Sequence, residues 1–319
     1  MSRNNPILYI VIPCYNEEQV LPHTNPMFVG KIEELVKNQE VHPNSKVMYV
    51  NDGSKDKTWE LIQEYASSNP FVVGISQSRN RGHQSSVLAG MYEAAEFADI
   101  VITIDADGQD DIDCMDQMVA EYKDGSEIVY GVRDNRDTDS AFKRITAEGF
   151  YKVMRLFGAD VVFNHADYRL VSKRFIYELA KFKEVNLFLR GLMPLVGFKY
   201  SYVTYKRHER IAGESHYPLA KMLGLAIDGI TSLSIKPIRL ITTLGVLTSF
   251  FSFALIIWVL WSKFAGNVVA GWASTYAIVS LLGGVQLISL GVIGEYIGKI
   301  YLETKRRPRY IISDRTYDE

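Results

Sequence analysis

The sequence predicts an α/β protein, a mostly parallel sheet with helices on both faces, followed by a C-terminal anchor of two transmembrane helices. Three observations predict it. Short apolar runs alternate with helical stretches four times in succession, which is the pattern of a parallel sheet with crossover helices. Each run ends on a polar loop bearing asparagine, aspartate or arginine, and open α/β sheets bind ligands at the carboxyl ends of their strands. Residues 240–262 and 265–294 contain no charged residue, and each run is long enough to cross a hydrocarbon core of ~30 Å.

The elements follow in order. Residues 7–13 read as a buried strand that ends in Pro13-Cys14-Tyr15-Asn16-Glu17-Glu18, with a helix over 26–37. Residues 47–50 form a second strand ending in Asn51-Asp52-Gly53-Ser54-Lys55-Asp56, and Asp56 caps a helix to about residue 66. A third strand, 71–76, ends in Arg79-Asn80-Arg81-Gly82-His83. The helix over 84–95 carries Ala89, Gly90, Ala94 and Ala95, small enough for close packing. The strand over 100–104 stops on Asp105-Ala106-Asp107-Gly108-Gln109-Asp110-Asp111 and is followed by a helix to about residue 122 and a strand over 128–131 ending near Arg133. Further on come an amphipathic helix over 142–157, Asp167-Tyr168-Arg169 ahead of a helix opening near Ser172, and an alternating strand over 200–205 that leads into Lys206-Arg207-His208-Glu209-Arg210.

The expected division is a domain over 1–215, an amphipathic juxtamembrane helix over 216–235, spans over 236–263 and 273–298, a loop over 264–272 and a basic tail over 299–319. Lys236 and Arg239 sit at the entrance to the first span, and Lys299, Lys305, Arg306, Arg307 and Arg309 follow the second, with only Lys263 near the intervening loop. The positive-inside rule places the large domain and both termini in the cytoplasm of a multi-pass membrane protein. Gly283, Gly284, Gly291 and Gly294 would let the second span pack on the first or on a neighbouring subunit. A formal net charge of -2 without a basic stripe argues against a nucleic-acid partner. Two cysteines, Cys14 and Cys114, make no disulfide framework and fit a reducing compartment.

Two aspartates one residue apart at a strand end suit Mg²⁺ or Mn²⁺, which shares its remaining positions with substrate phosphates and water. Gln109 adds a neutral oxygen. A nucleoside diphosphate sugar accounts for the strand ends together: a cation at Asp107 neutralises the diphosphate, Asp52 accepts from a ring N–H of the base, and Arg79 and Arg133 hold anionic oxygens. His83 reads as a structural hydrogen-bonder, since no second histidine stands at ligand spacing.

The stretches 10–18 (IVIPCYNEE), 50–58 (VNDGSKDKT), 78–84 (SRNRGHQ) and 105–110 (DADGQD) resemble the family 2 inverting glycosyltransferases of Rossmann-like GT-A fold. Asp167-Tyr168-Arg169-Leu170, the stretch 207–215 (RHERIAGES), the paired spans and 294–299 (GEYIGK) narrow the resemblance to bacterial polyprenyl-phosphate glycosyltransferases of the GtrB type, relatives of dolichol-phosphate mannose synthase. The resemblance implies that Pro13, Tyr15, Asn16, Glu17, Asp52, Arg79, Asp105 and Ala106 hold the nucleotide. It implies that Asp107 and Gln109 ligate the metal, with Asp105, Asp107 and Asp167 in catalytic roles. Arg133, Arg169, Arg207, Arg210 and Ser215 would meet the phosphates or the acceptor. Three positions depart from the pattern: Gly108 for a frequent leucine, Ala166 for glycine, and His216 for lysine.

The implied reaction moves glucose or N-acetylglucosamine from a UDP-sugar to undecaprenyl phosphate, in a bacterial cell membrane and in a homo-oligomer compatible with a tetramer. Rival readings are a transferase with a polysaccharide or protein acceptor, and a membrane-anchored nucleotide-sugar binder without turnover. A processive polysaccharide synthase would carry a Gln-x-x-Arg-Trp segment and more spans, and this sequence has neither.

Overall fold

The computed structural model describes residues 3–133, 165–208, 224, 229–232, 234–264 and 271–318. The helix expected over 142–157, most of the one over 216–235, and Arg210 and Ser215 lie outside the described residues. Among the described residues the strands are β1 Leu8–Cys14, β2 Lys46–Asn51, β3 Val72–Gln77, β4 Ile100–Thr103, β5 Ile128–Arg133, β6 His165–Ser172, β7 Tyr200–Tyr205 and β8 Ile312–Arg315. They form one sheet in the order β7-β5-β6-β4-β1-β2-β3-β8. The pairings β1–β2, β1–β4, β2–β3 and β5–β7 are parallel; those made by β6 and β8 are antiparallel.

Both faces of the sheet are covered, so the strands read as continuous apolar runs. Leu8, Ile10 and Ile12 of β1 point to one face. There they meet α1 (Leu21–Lys37), α2 (Thr58–Ser68) and α4 (Cys114–Lys123). Tyr9 and Val11 point to the other face, against α3 (His83–Phe97), α5 (Lys173–Leu179) and α6 (Leu189–Leu195). Gly90 is the close contact of α3 with the sheet: a Cβ there would lie 2.3 Å from Val11 Cγ1 and 2.7 Å from Val50 Cγ2. Cys14 and Cys114 are buried free thiols.

Several elements differ from expectation. Helix α1 begins five residues earlier, at Leu21, because Pro22 falls in the first turn, where no N–H partner is needed, and Pro26 is tolerated inside the helix. Asp56 precedes α2 by two residues and accepts from Thr58 N at 3.1 Å. β6 is an additional, antiparallel strand inserted between β4 and β5. Its register sets Arg169 opposite Thr103. Its leading residues therefore lie at the carboxyl edge of β4, and Thr103 Oγ1 donates to the Asp167 carbonyl at 2.6 Å.

Two long helices follow, α7 (Lys236–Phe264) and α8 (Trp272–Lys305). At 1.5 Å per residue they are about 44 and 51 Å long. Windows within both are long and apolar enough to cross a membrane, and large side chains such as Phe250, Trp261, Leu281 and Leu287 are exposed on them. Such surfaces are costly to expose to water and stable in lipid. A Cβ built on Gly283, Gly284, Gly291 or Gly294 meets nothing within 4 Å, so among the described residues these glycines do not pack on the first helix.

The tail is not simply a basic extension. Residues 299–305 continue α8, and β8 pairs antiparallel with β3. Arg315 holds Glu93 of α3 with two bonds of 2.9 and 3.0 Å, Thr316 Oγ1 accepts from Gly74 N at 2.8 Å, and Tyr317 packs edge-on against Phe97. Tyr310, Ile312 and Tyr317 lie against the core on the α3 face. Truncation after Arg309 should expose the β3 edge and lower unfolding stability by on the order of 3 kcal/mol, from lost apolar burial and the Arg315–Glu93 pair. A thermal melt of the truncated protein in detergent checks this; an unchanged midpoint would show that β8 contributes nothing.

Candidate active site

The carboxyl ends of β1, β2, β3, β4, β5 and β7 share one edge, and β6 delivers Asp167 to it. At β1, Asn16 adopts a left-handed backbone (φ 57°), and its Oδ1 accepts from Lys55 N at 2.9 Å. Glu17 N donates to Thr58 Oγ1 at 2.8 Å. The first two loops are thus tied together, with Tyr15 and Asn16 exposed above them and Pro13 half-buried. Asp52 is buried, and its two oxygens accept from Arg81 N and Gly82 N at 2.7 and 2.9 Å. Burial raises its pKa against those two bonds. Its expected contact to a base thus comes beside a second task, anchoring the third loop, and each carboxylate oxygen retains a further lone pair. Gly53 (φ +62) permits this, since a Cβ there would strike the Arg79 backbone at 2.5 Å. Arg79 itself is exposed.

Around β4, Ala106 is buried and Asp105 and Asp107 are partly exposed. Asp107 Oδ1 accepts from Gln109 N at 3.1 Å. Arg207 Nη2 lies 2.5 Å from Gln109 Oε1 and 4.0 Å from Asp107 Oδ2. The two oxygens expected to ligate a cation therefore both face the Arg207 guanidinium. The segment bearing Arg207 is zipped to the loop by His208 N to Gln109 O (2.8 Å) and Gln109 Nε2 to His208 O (3.2 Å). Asp110 is buried, and its pKa is pushed up to about 6 by that burial and by Asp105. Tyr205 donates to it at 2.6 Å, and Arg133 approaches to 3.6 Å. Arg133 thus braces Asp110 from the end of β5.

Asp167 is the most heavily paired carboxylate of the edge. Arg169 Nη2 bonds its Oδ1, Arg190 Nη2 lies 3.1 Å from its Oδ2, and His83 Nε2 lies 3.5 Å from Oδ2 and 3.7 Å from Asp105 Oδ1. Burial alone would raise the pKa; Arg190, His83 and Arg169 together hold it well below the usual carboxylate range. Arg169 corrects an expectation. It is 0% exposed, so it supports Asp167 from behind rather than facing phosphates or acceptor. Its Nη1 is buried without a hydrogen-bond partner among the described residues. His83 stands between the two carboxylates Asp105 and Asp167. Arg190 and Tyr205 are site residues that sequence reasoning missed: neither stands in a charged motif, and α6 is a short helix interrupted by Gly191 and Pro194.

A two-faced α/β sheet with a polar carboxyl edge, an Asp-x-Asp at β4 and a clamped carboxylate opposite it define a glycosyltransferase of GT-A fold. Residues 9–180 match the profile of glycosyl transferase family 2, and the chain belongs to that family. Residues 236–300 match the GtrB C-terminal hairpin. The chain is similar to an uncharacterized glycosyltransferase, YkoT, of Bacillus subtilis, with 46% identity over 100% of this chain and 95% of that one. It is 38% identical to the bactoprenol glucosyl transferase of Shigella phage SfX, over 96% of this chain and 98% of that one. Among solved structures, a mannosyltransferase from Pyrobaculum calidifontis, in complex with GDP-Man and Mn²⁺, shares the fold at a TM-score of 0.50 and 14% identity, covering 95% of this chain and 87% of that one.

His83 supplies a pH test. Burial works against its protonation, but Asp167 and Asp105 prevail and raise its pKa above 6.5. The imidazolium therefore bridges the two carboxylates below that raised pKa and loses its charge as pH rises through it. Turnover should show an alkaline limb of one proton above pH 6.5, absent in His83→Gln. A limb that persists in His83→Gln would assign it to another group.

Proposed function

We propose that the protein transfers a hexose, glucose ahead of N-acetylglucosamine, from a UDP-sugar to undecaprenyl or another polyprenyl phosphate, with inversion. One observation carries the choice of acceptor: Asp167 is held ionised by the guanidiniums of Arg169 and Arg190, and by the His83 imidazolium while that is protonated. A carboxylate with so low a pKa is a weak base, and a hydroxyl acceptor needs a base. A phosphate monoester has a second pKa of about 6 and is largely dianionic at neutral pH, so it needs none. The relatives named bactoprenol glucosyl transferase, similar over nearly the whole chain, support both the lipid acceptor and glucose.

In this reading Asp167 orients the attacking group and stabilises positive charge on the sugar. Pro13, Tyr15, Asn16, Glu17, Asp52 and Arg79 line the nucleotide side, with Asp105 and Ala106 beneath it. Asp107 and Gln109 would hold Mg²⁺ or Mn²⁺, which when bound neutralises the diphosphate and eases departure of the nucleotide. Arg207 then turns from those oxygens to the phosphates, joined by Arg133, Arg210 and Ser215. In-line attack converts an α-linked donor to a β-linked product.

Docking of β8 on β3 returns the chain to the catalytic domain after both apolar helices. That supports a two-span hairpin with the domain and both termini on one side, the cytoplasmic side by the basic flanks. Membrane glycines without a partner on α7 support a homo-oligomer, for which we favour a tetramer. The test is incubation of full-length protein with undecaprenyl phosphate and a panel of UDP-sugars, with the lipid read by mass spectrometry. A hexose-bearing lipid formed with UDP-glucose, and lost on chelation, is expected. Transfer to a glycan or peptide without any lipid phosphate would refute the reading.

A further inference from the structure

We propose that Arg190 receives the phosphate of the acceptor while it holds Asp167; the proposal rests on the polyprenyl-phosphate reading above. Arg190 bonds Asp167 through Nη2 (3.1 Å) and Nε (3.4 Å), yet its side chain is 41% exposed, against 19% for Asp167 and 0% for Arg169. Of the two guanidiniums at this carboxylate, Arg190 is the one that reaches the open side of the site.

Its place in the chain gives that exposure a direction. Val185 N and Asn186 N each donate to the Glu303 carboxylate at 2.8 Å, near the end of α8. Asn186 Nδ2 also reaches Ser232 Oγ at 2.5 Å, just ahead of α7. Arg190 is the fourth residue after Asn186, and four residue steps span at most about 14 Å. Arg190 therefore bonds Asp167 from a segment anchored, within about 14 Å, at the foot of the apolar hairpin, the side from which the proposed lipid phosphate would enter. Leu189 N donates to Gln84 Oε1 at 2.8 Å, which fixes the start of α6 beside His83. Arg207 and Arg133 stand on the donor side instead, against Gln109 and Asp110.

The chemistry suits the position. A guanidinium carries five donors in a rigid fork and can hold a carboxylate and a phosphate oxygen together. It also separates two anions, Asp167 and the dianionic phosphate, that would otherwise repel across the reacting centre.

The experiment uses full-length protein with UDP-glucose and two acceptors, undecaprenyl phosphate and the short-chain farnesyl phosphate, in Arg190→Gln and Arg190→Lys. UDP affinity by calorimetry reports folding and the donor site. The acceptor KM should rise about 10- to 100-fold in Arg190→Gln for both acceptors, as expected for loss of a charge-assisted bond. Arg190→Lys should recover part of that loss, and UDP affinity should stay within about twofold. Inorganic phosphate should compete with acceptor in the wild type and not in Arg190→Gln. An unchanged acceptor KM, with a lower kcat and an acid limb moved to higher pH, would overturn the proposal and leave Arg190 as a positioning residue for Asp167. A rise confined to undecaprenyl phosphate would also overturn it, since the lipid rather than the phosphate would then be what is lost. If Arg190→Gln fails to fold, Arg190→Lys and phosphate competition in the wild type decide alone. Failure of the wild type to glycosylate either phosphate would instead defeat the function on which the proposal rests.

Discussion

The Asp167 carboxylate, clamped by Arg169, Arg190 and His83, is the interaction on which the site depends. It requires three separate elements: β6 supplies Asp167 and Arg169, α6 supplies Arg190, and the start of α3 supplies His83. A buried carboxylate left alone would be protonated; one deprived of a buried partner loses about 3–5 kcal/mol. The fold meets this by inserting β6 against the direction of its neighbours. An antiparallel strand presents its early residues at the edge where the parallel strands present their last. The same geometry brings Asp167 within reach of the ring that also touches Asp105.

The donor side is built on a different principle. There the polar groups are tied to each other through short loop contacts: Gln109 to Arg207 and His208, Asp110 to Tyr205, Asn16 to Lys55. The Arg207 guanidinium against Asp107 and Gln109 keeps that pair of oxygens oriented toward positive charge. In the proposed reading, Asp107 and Gln109 would hold the cation and Arg207 would be released to pair with the diphosphate. Reorganisation is then local, because the segment is already fastened to the loop by backbone bonds.

Much of this was legible in the residues. β1 to β4 showed as apolar runs because both sheet faces are covered, β7 showed by its alternation, and the two apolar helices showed as stretches without charge. β6 was not read as a strand, since HADYRLVS places Asp167 and Arg169 where a core strand would carry apolar groups. β8 is four residues, ISDR, with no periodicity to find. Helix α6 hid behind Gly191 and Pro194, and Arg190 with it. Arg169 was misjudged for the opposite reason: it stands in a motif, but strand register, which the motif does not encode, sets it on the same face as Asp167 and two residues deeper, where it is buried.

The hairpin and the catalytic domain are joined through Val185 and Asn186 in the loop before α6 and through β8. The proposed acceptor needs no deprotonation, and an ionised Asp167 is the state of the site that suits it. The direct measurement is a pH titration of that carboxyl by difference infrared spectroscopy, wild type against Asp167→Asn. The carboxylate band assigned to Asp167 should persist on acidification to the usual Asp value of 3.8. A protonated carboxyl band growing in near neutral pH would contradict the clamp and make Asp167 a general base.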